Sequence, residues 1–117
     1  MPESEPSIFT RIIAREIPAD IVFESDAVIA FRDINPQAAV HLLVVPKTDL
    51  YPTVVALAAA DPQLLADIVA TASALATEHA NGEFRLVFNT GVSAGQTVMH
   101  AHAHVLSGAL PEGTLAQ

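Results

Sequence analysis

Three histidines alternate with small or β-branched residues in the run His100-Ala-His102-Ala-His104-Val-Leu106. Successive side chains of a β-strand point to opposite faces, so three imidazoles at this spacing share one face. Ala101, Ala103 and Val105 would then share the other face, where small and β-branched residues pack well. The run therefore predicts a strand within residues 98–107 with an apolar face and a histidine face. The histidine face is the candidate active site.

Apolar periodicity and turn residues divide the chain into two helices and five strands. The predicted strands cover residues 21–24, 28–31, 41–46, 84–89 and 98–107. The predicted helices span residues 7–15, capped by Ser7, and residues 61–80, capped by Asp61 and ended by Asn81-Gly82. Short connections between these elements favour an α+β fold with an antiparallel sheet. The second helix carries an apolar stripe of Leu64, Leu65, Ile68, Val69, Ala72, Leu75 and Ala76.

The composition limits the class of protein. A chain of 117 residues can form one domain with a substantial core, and an apolar fraction of 51% argues against disorder. The absence of cysteine excludes disulfides and thiolate metal sites and is typical of a reducing compartment. Residues 1–6 are acidic and proline-rich, unlike a signal peptide, so we expect a flexible tail and a cytoplasmic protein. Residues 7–108 form the predicted domain, and residues 109–117 form a C-terminal tail.

The net charge of −8 repels nucleic-acid backbones and anionic lipids. No apolar run approaches the roughly 20 residues that a membrane-spanning helix needs. We therefore expect neither a nucleic-acid partner nor a membrane partner. A small phosphorylated ligand remains compatible with the charge if histidines and backbone amides hold it. The five cationic side chains form no patch in sequence: Arg11, Arg15, Arg32, Lys47 and Arg85.

Three interpretations of the histidine face differ in their chemistry. The histidines could simply make a polar surface, or they could bind a catalytic zinc ion, as three histidines can. Along a strand, however, the α-carbons of His100 and His104 would lie about 13 Å apart, too far for one ion to be shared easily. A neutral imidazole is also a good nucleophile toward phosphorus. This third interpretation places His102, flanked by two assisting imidazoles, as the nucleophile, with Gly95, Gln96 and Thr97 binding the developing charge.

The same run resembles the His-x-His-x-His-x-x signature of the histidine-triad (HIT) superfamily. Separate segments at residues 31–38 and 41–47 resemble the central block of its nucleotide-binding branch (HINT), and residues 8–19 resemble the opening of that branch. Residues 89–98 are similar to its phosphate loop. The resemblance extends over residues 7–108, and the blocks occur in the family's order.

This resemblance implies a HIT-like fold, a homodimer whose sheets join, and hydrolysis of purine nucleoside phosphoramidates through a nucleotidyl-histidine. His102 takes the position of the nucleophile. His104 would contact the phosphate and assist the leaving amine, while His100 and His41 would orient and tune the site.

The resemblance also implies a set of substrate contacts. Asp33 would bind the ribose hydroxyls. The phosphate would be surrounded by Asn89, Gln96, Thr97 and the Val98 amide, beside Gly95. The base would be held by Ile8, Phe9, Ile12, Phe31 and Ile34. Several of the residues also have an ordinary structural interpretation. Ile8, Ile12, Phe31 and Ile34 could be core residues. Asp33 could be a turn residue, His41 a structural histidine, and Asn89 could hydrogen-bond the following loop.

Many members of the superfamily hold a structural zinc ion at positions that correspond here to Ser7, Thr10, Asp49 and His100. A single imidazole is a poor zinc site, so we expect neither a bound metal nor another cofactor. The C-terminal tail departs from the ending of the best-known members, which leaves the leaving group open. Two alternatives also remain open: a dinucleoside polyphosphate hydrolase, and a nucleotide-binding or partner-binding module with incidental turnover. A metal-dependent enzyme would be a third class, and it predicts inhibition by a chelator.

Overall fold

Five strands form one antiparallel sheet in the computed structural model, which describes residues 7–110. The strands are β1 Ile21–Glu24, β2 Val28–Arg32, β3 Val40–Pro46, β4 Arg85–Val87 and β5 Ala103–Ser107. Their order across the sheet is β1-β2-β3-β5-β4. The helices are α1 Ile8–Ile13, α2 Val54–Ala60 and α3 Pro62–His79. The predicted α+β class with a five-stranded antiparallel sheet is therefore confirmed.

The central strand β3 is buried along nearly its whole length: all its residues after Val40 are buried. It pairs with β2 on one side and with β5 on the other. A strand buried on both faces reads as a continuous apolar run, which is why its position could be predicted from residues 41–46. The turn between β1 and β2 is closed by the amide of Ser25, which donates to the carbonyl of Val28 at 2.8 Å.

Helix α3 begins where the sequence predicts. The Asp61 carboxylate accepts a hydrogen bond from the Leu64 amide at 3.1 Å, and Pro62 occupies the first turn. The helix packs against β3 and β5 through most of the predicted stripe. Val69 is an exception because 41% of its surface is exposed, so its place in the buried stripe was wrong.

Helix α2 was not predicted. Its seven residues are all apolar, so no polar positions mark an exposed face with helical spacing. Its first turn is capped by Thr53, whose hydroxyl accepts from the amide of Ala56 at 3.1 Å. Residues 7–110 therefore contain three α-helices where the sequence predicted two.

Three predicted elements are shorter in the structure. α1 ends at Ile13, and Arg15 has a φ of 65°, in the left-handed region that ends helices. The strand β4 covers only part of residues 84–89. β5 begins at Ala103 rather than at residue 98, because the preceding chain bonds elsewhere: the amide of Ala101 donates to the carbonyl of Tyr51 at 2.9 Å. The apolar alternation at residues 101, 103 and 105 is nevertheless confirmed, since all three are buried.

The two faces of the sheet differ in what covers them. On one face, here called the helix face, α2 and α3 pack on apolar residues of β2, β3 and β5. On the other, here called the pocket face, α1 packs on a smaller core. That core consists of Phe9, Ile12, Ile29, Phe31, Leu43 and Val45. Within residues 7–110, no helix is both long and apolar enough to cross a membrane.

Candidate active site

A cavity of about 410 Å³ opens on the pocket face, between α1, the end of β2 and the loop that precedes β5. Most of the predicted site residues line it, although they come from four separate segments of the chain. They are Ile8, Phe9, Ile12, Phe31, Asp33, Ile34, Asn89, Gly95, Thr97, Val98, His102 and His104. Three predicted site residues do not line the cavity: His41, His100 and Gln96.

The cavity also has lining residues that the sequence did not single out as site residues. They are Ile17, Pro18, Ala19, Arg32 and Leu43. Leu43 could have been found, because it lies two residues after His41 on the same strand face. Residues 17–19 belong to an irregular segment after α1, where no local pattern predicts which side chains face a cavity.

His102 has one nitrogen bound and one nitrogen left for chemistry. Its Nδ1 lies 2.8 Å from the carbonyl oxygen of His100, and a carbonyl can only accept, so Nδ1 carries the proton. Nε2 therefore holds a lone pair. The Phe9 ring packs edge-on against the imidazole with ring centroids 4.9 Å apart. Burial lowers the pKa of His102, which keeps the ring neutral and nucleophilic at pH 7.

His104 is paired with His41 across the β3–β5 ladder. The Nε2 of His41 lies 2.9 Å from the Nδ1 of His104, and the Asp33 carboxylate lies 3.4 Å from the same Nε2. Burial, together with the neighbouring His102 and His41, lowers the pKa of His104 to about 4. Both rings of the pair are therefore neutral at pH 7, since burial also lowers the pKa of His41.

The donor atoms of Asp33, His41 and His104 lie within 4.8 Å of one another, a grouping that resembles a two-histidine, one-carboxylate metal site. A metal-bound imidazole normally donates its other N–H to a neighbour. Here the Nδ1 of His41 instead accepts from the backbone amide of Gln37 at 3.0 Å. The surroundings of His41 thus favour a hydrogen-bonded pair of rings over a metal site.

His100 lies behind the cavity and is fully buried. Its Nε2 donates to the carbonyl of Pro46 at 2.8 Å, and its Nδ1 lies 2.9 Å from the Ser7 hydroxyl and 3.4 Å from the Thr10 hydroxyl. The ring thereby ties the start of α1 to the end of β3. With Asp49, the four positions supply two hydroxyls, one carboxylate and one imidazole, which do not match the thiolate and imidazole donors of a structural zinc site, so these residues do not fit that metal.

Gln96 is buried and does not line the cavity. Its side chain is 2% exposed and makes three hydrogen bonds within the protein. The amide oxygen accepts from the Gly91 backbone at 2.8 Å, and the nitrogen donates to the carbonyls of Pro52 and Val98 at 2.6 and 2.9 Å. The side chain is thus fully bonded within the protein, and the role of Gln96 beside the phosphate stays a prediction. Gln96 holds the loop whose Thr97 lines the cavity.

Asp33 has the hydrogen bond of a turn residue and also lines the cavity. One carboxylate oxygen accepts from the amide of Asn35 at 2.8 Å, as in an Asx turn, while the other faces His41. Among the residues that line the cavity, Arg32 is the one with a cationic side chain, and its Nε lies 3.0 Å from the Asp20 carboxylate. A bound phosphate would therefore depend on imidazole groups, backbone N–H groups and the neutral side chains of Asn89 and Thr97 for its hydrogen bonds.

Comparisons with known proteins show similarity over nearly the whole chain. The family model described as "Scavenger mRNA decapping enzyme C-term binding" matches residues 6–117. An uncharacterized HIT-like protein of Synechocystis sp. is 47% identical over 106 residues, which are 90% of this chain and 92% of that protein. The purine nucleoside phosphoramidase of Escherichia coli is 44% identical over 107 residues, 90% of this chain and 89% of that enzyme. A HIT family hydrolase from Clostridium thermocellum has a TM-score of 0.85 and 40% identity, covering 97% of this chain and 98% of that one.

Proposed function

The chain belongs to the histidine-triad family, and we propose that it hydrolyses purine nucleoside 5′-phosphoramidates to the nucleoside monophosphate and an amine. The observation that carries this proposal is the environment of His102. Its Nδ1–H is held by a carbonyl and its Nε2 lone pair remains for attack, on a neutral ring that lines the cavity. The 44% identity to a purine nucleoside phosphoramidase supports the same substrate class.

In the proposed reaction, Nε2 of His102 attacks the α-phosphorus as the P–N bond breaks, and the departing nitrogen takes up a proton from solvent, which gives a nucleotidyl-histidine and the free amine. Water then attacks the phosphorus and the N–P bond to His102 breaks. The proton that this water loses replaces the one taken up in the first step, and the monophosphate leaves. His104 would contact the phosphate and the departing amine, and Thr97 and the Val98 amide would bind phosphate oxygens. Splitting one displacement into two steps is the usual advantage of a covalent nucleophile.

The apolar end of the cavity would hold the purine. Phe9 and Ile12 are buried there, whereas Ile34 is 87% exposed and lies at the rim. Burial of an exposed isoleucine by a flat aromatic base would be favourable by the hydrophobic effect. Asp33, at the polar side of the same cavity, would accept hydrogen bonds from the ribose hydroxyls.

The proposal includes a homodimer in the cytoplasm. Strand β4 lies at one edge of the sheet and has only three residues, all of them half-buried. Such an edge presents backbone groups that can pair with a second copy and extend the sheet. Light scattering at micromolar concentration tests this part: a mass near twice 12.3 kDa supports it, and a mass near 12.3 kDa contradicts it.

The proposed reaction is tested with an adenosine 5′-phosphoramidate, in the presence of EDTA, by following the release of AMP. We expect steady release by the parent protein and a loss of about a thousandfold or more in His102→Ala. His79→Ala is the matched control, because this histidine lies at the end of α3, outside the cavity. Equal rates in the parent and His102→Ala would remove the nucleophile from the mechanism. Loss of the parent's activity in EDTA would indicate a metal-dependent enzyme.

The same assay with a diadenosine polyphosphate distinguishes the proposed phosphoramidate hydrolase from the alternative, a dinucleoside polyphosphate hydrolase. Faster cleavage of that substrate than of the phosphoramidate would favour the alternative. Tight binding of AMP without turnover of either substrate would favour a nucleotide-binding module.

A further inference from the structure

The two histidines that line the cavity have different partners behind them. His102 meets a backbone carbonyl, that of His100, which can only accept a hydrogen bond. His104 meets another imidazole, His41, which can either donate or accept. The hydrogen-bond direction at His104 is therefore set by whatever fixes the proton on His41.

A backbone amide fixes that proton. The N–H of Gln37 donates to Nδ1 of His41 at 3.0 Å, so Nδ1 holds a lone pair. A neutral imidazole has one N–H, and His41 must carry it on Nε2. That N–H points to the Nδ1 of His104, 2.9 Å away, and the Asp33 carboxylate is a second acceptor at 3.4 Å. Because Nδ1 of His104 then accepts, its own proton lies on Nε2.

On the basis of the proposed function, we propose that the backbone amide of Gln37 is a positioning group that fixes the tautomer of His104 through His41. His104 then presents an N–H to the cavity, while His102 presents a lone pair. The opposite tautomer would turn a lone pair of His104 toward the phosphate oxygens, which repel it. Tautomer choice by the partner of the second ring nitrogen is a general property of histidine.

The turn at residues 33–37 is built to hold this amide in place. The Asp33 carboxylate accepts from the amide of Asn35 at 2.8 Å, and the Gln37 side chain donates to the Asn35 carbonyl at 3.1 Å. The backbone of Asp33 also donates to the carbonyl of His41 at 3.0 Å, which joins the turn to the start of β3. Thus one short turn supplies both the amide that sets the proton of His41 and the carboxylate beside it.

Nitrogen-15 NMR of the histidine rings in the whole protein tests the proposal without any substrate. At pH 7.5 we expect the Nε2–H tautomer for His41 and His104 and the Nδ1–H tautomer for His102. A predominant Nδ1–H tautomer at His104 would overturn the proposal. This result stands apart from the proposed function, whose failure would appear as absent AMP release with the expected tautomers intact.

Substitution of Gln37 supplies the second test. Gln37→Pro removes the amide hydrogen, and the control Gln37→Ala keeps it while losing the side-chain bond to Asn35. We expect mixed tautomers at His41 and His104 and a fall in kcat of about tenfold or more in the proline variant, with a smaller change in KM. The alanine variant keeps the amide hydrogen and should retain the parent's tautomers, with a smaller fall in kcat than the proline variant that reports the loss of the side-chain bond to Asn35. A folded Gln37→Pro with the parent's tautomers and kcat would refute the role of the amide. If that variant does not fold, the ring spectra of the parent and Gln37→Ala decide the question.

Discussion

The helix face and the pocket face of the sheet are built from the same strands but are stabilised in different ways. On the helix face, α2 and α3 bury apolar side chains such as Leu57 and Ile68 against the sheet. On the pocket face, buried polar rings share the interior with α1, and His41, His100 and His102 are each nearly inaccessible to solvent. On the helix face, the volume of each side chain matters most for stability. On the pocket face, what matters most is which atom donates and which accepts in each hydrogen bond.

Because of this difference, substitutions on the two faces should differ in their effects on stability and on activity. An apolar contact has no direction, so a residue of similar volume can replace another with a small cost. A buried imidazole must keep a donor or an acceptor at each nitrogen, and an unmatched nitrogen costs the full desolvation of that group. Substitutions on the helix face should therefore change the free energy of unfolding, and those on the pocket face should change catalysis as well.

The largest effect on stability is expected from Ile68→Ala. Ile68 is a fully buried residue of α3 that packs into the core of the helix face. Its truncation should lower the free energy of unfolding by about 2–5 kcal/mol. Urea denaturation measures this, with Ile68→Val as the control at about 0.5–1.5 kcal/mol. AMP release per folded molecule should stay near the parent value. A large fall in kcat in a still-folded Ile68→Ala would break the separation between the two faces.

Acid should destabilise the protein through the pocket face. Burial lowers the pKa of His41, His100, His102 and His104 in the folded state, so the unfolded chain binds more protons below its ordinary histidine pKa of about 6.5. The stability contributed by the neutral rings is therefore complete above that pH and declines as the pH falls from about 6.5 toward 4.

Urea denaturation at pH 7.5 and pH 5.0 measures this decline in a window where most carboxylates stay ionised. His41→Gln should reduce the difference between the two pH values, because it removes one of the titrating rings. Ile68→Val should leave that difference unchanged. An unfolding free energy that is the same at both pH values would contradict the assignment of neutral, buried rings.

Two helix caps offer a matched pair of smaller changes. Ser7 caps α1 on the pocket face and also contacts His100, whereas Thr53 caps α2 on the helix face. Either change to alanine should cost about 1 kcal/mol of stability. Ser7→Ala should also lower kcat/KM several-fold, because His100 loses a partner and its carbonyl orients His102. Equal activity in the two variants would show that the bond to His100 is dispensable.

The smallest effect should be that of salt. The cavity holds one cationic side chain among its lining residues, Arg32, and that side chain is paired with Asp20. Without a basic patch to steer the substrate, kcat/KM should change by no more than about twofold between low and physiological ionic strength. A steep decline, measured in the AMP-release assay, would reveal a long-range electrostatic contribution that the cavity lining does not account for.

Local patterns in the sequence predicted most of the sheet, whereas most of the residues that line the cavity were predicted from the resemblance to the histidine-triad superfamily. The apolar run of β3, the capped start of α3 and the alternation around His102 each depend on neighbours in sequence, so one sequence sufficed. Helix α2 was missed because seven apolar residues in a row give no periodicity. The lining of the cavity at Thr97 and Val98 followed from the resemblance and from the loop beside the histidine run.

The partners of polar groups were harder to predict. Gln96, beside a glycine in a small-residue loop, has the features of a phosphate ligand, but its side chain bonds to the carbonyl of Pro52, which is distant in sequence. The amide of Gln37 has no sequence signal at all, because every residue except proline has one. Only the folded arrangement shows which backbone groups meet an imidazole.

The topology of the sheet affects when activity can develop during folding. Strands β1, β2 and β3 pair with their neighbours in sequence, as do β4 and β5, but the chain between the paired strands β3 and β5 contains α2, α3 and β4. Pairing between distant segments is the slow part of folding because the intervening chain must first be ordered. His41 and His104 lie on opposite sides of that ladder. Recovery of AMP release during refolding should therefore lag behind recovery of helical circular dichroism. A chain that is still being synthesised likewise acquires the pair of His41 and His104 only after β5 has emerged.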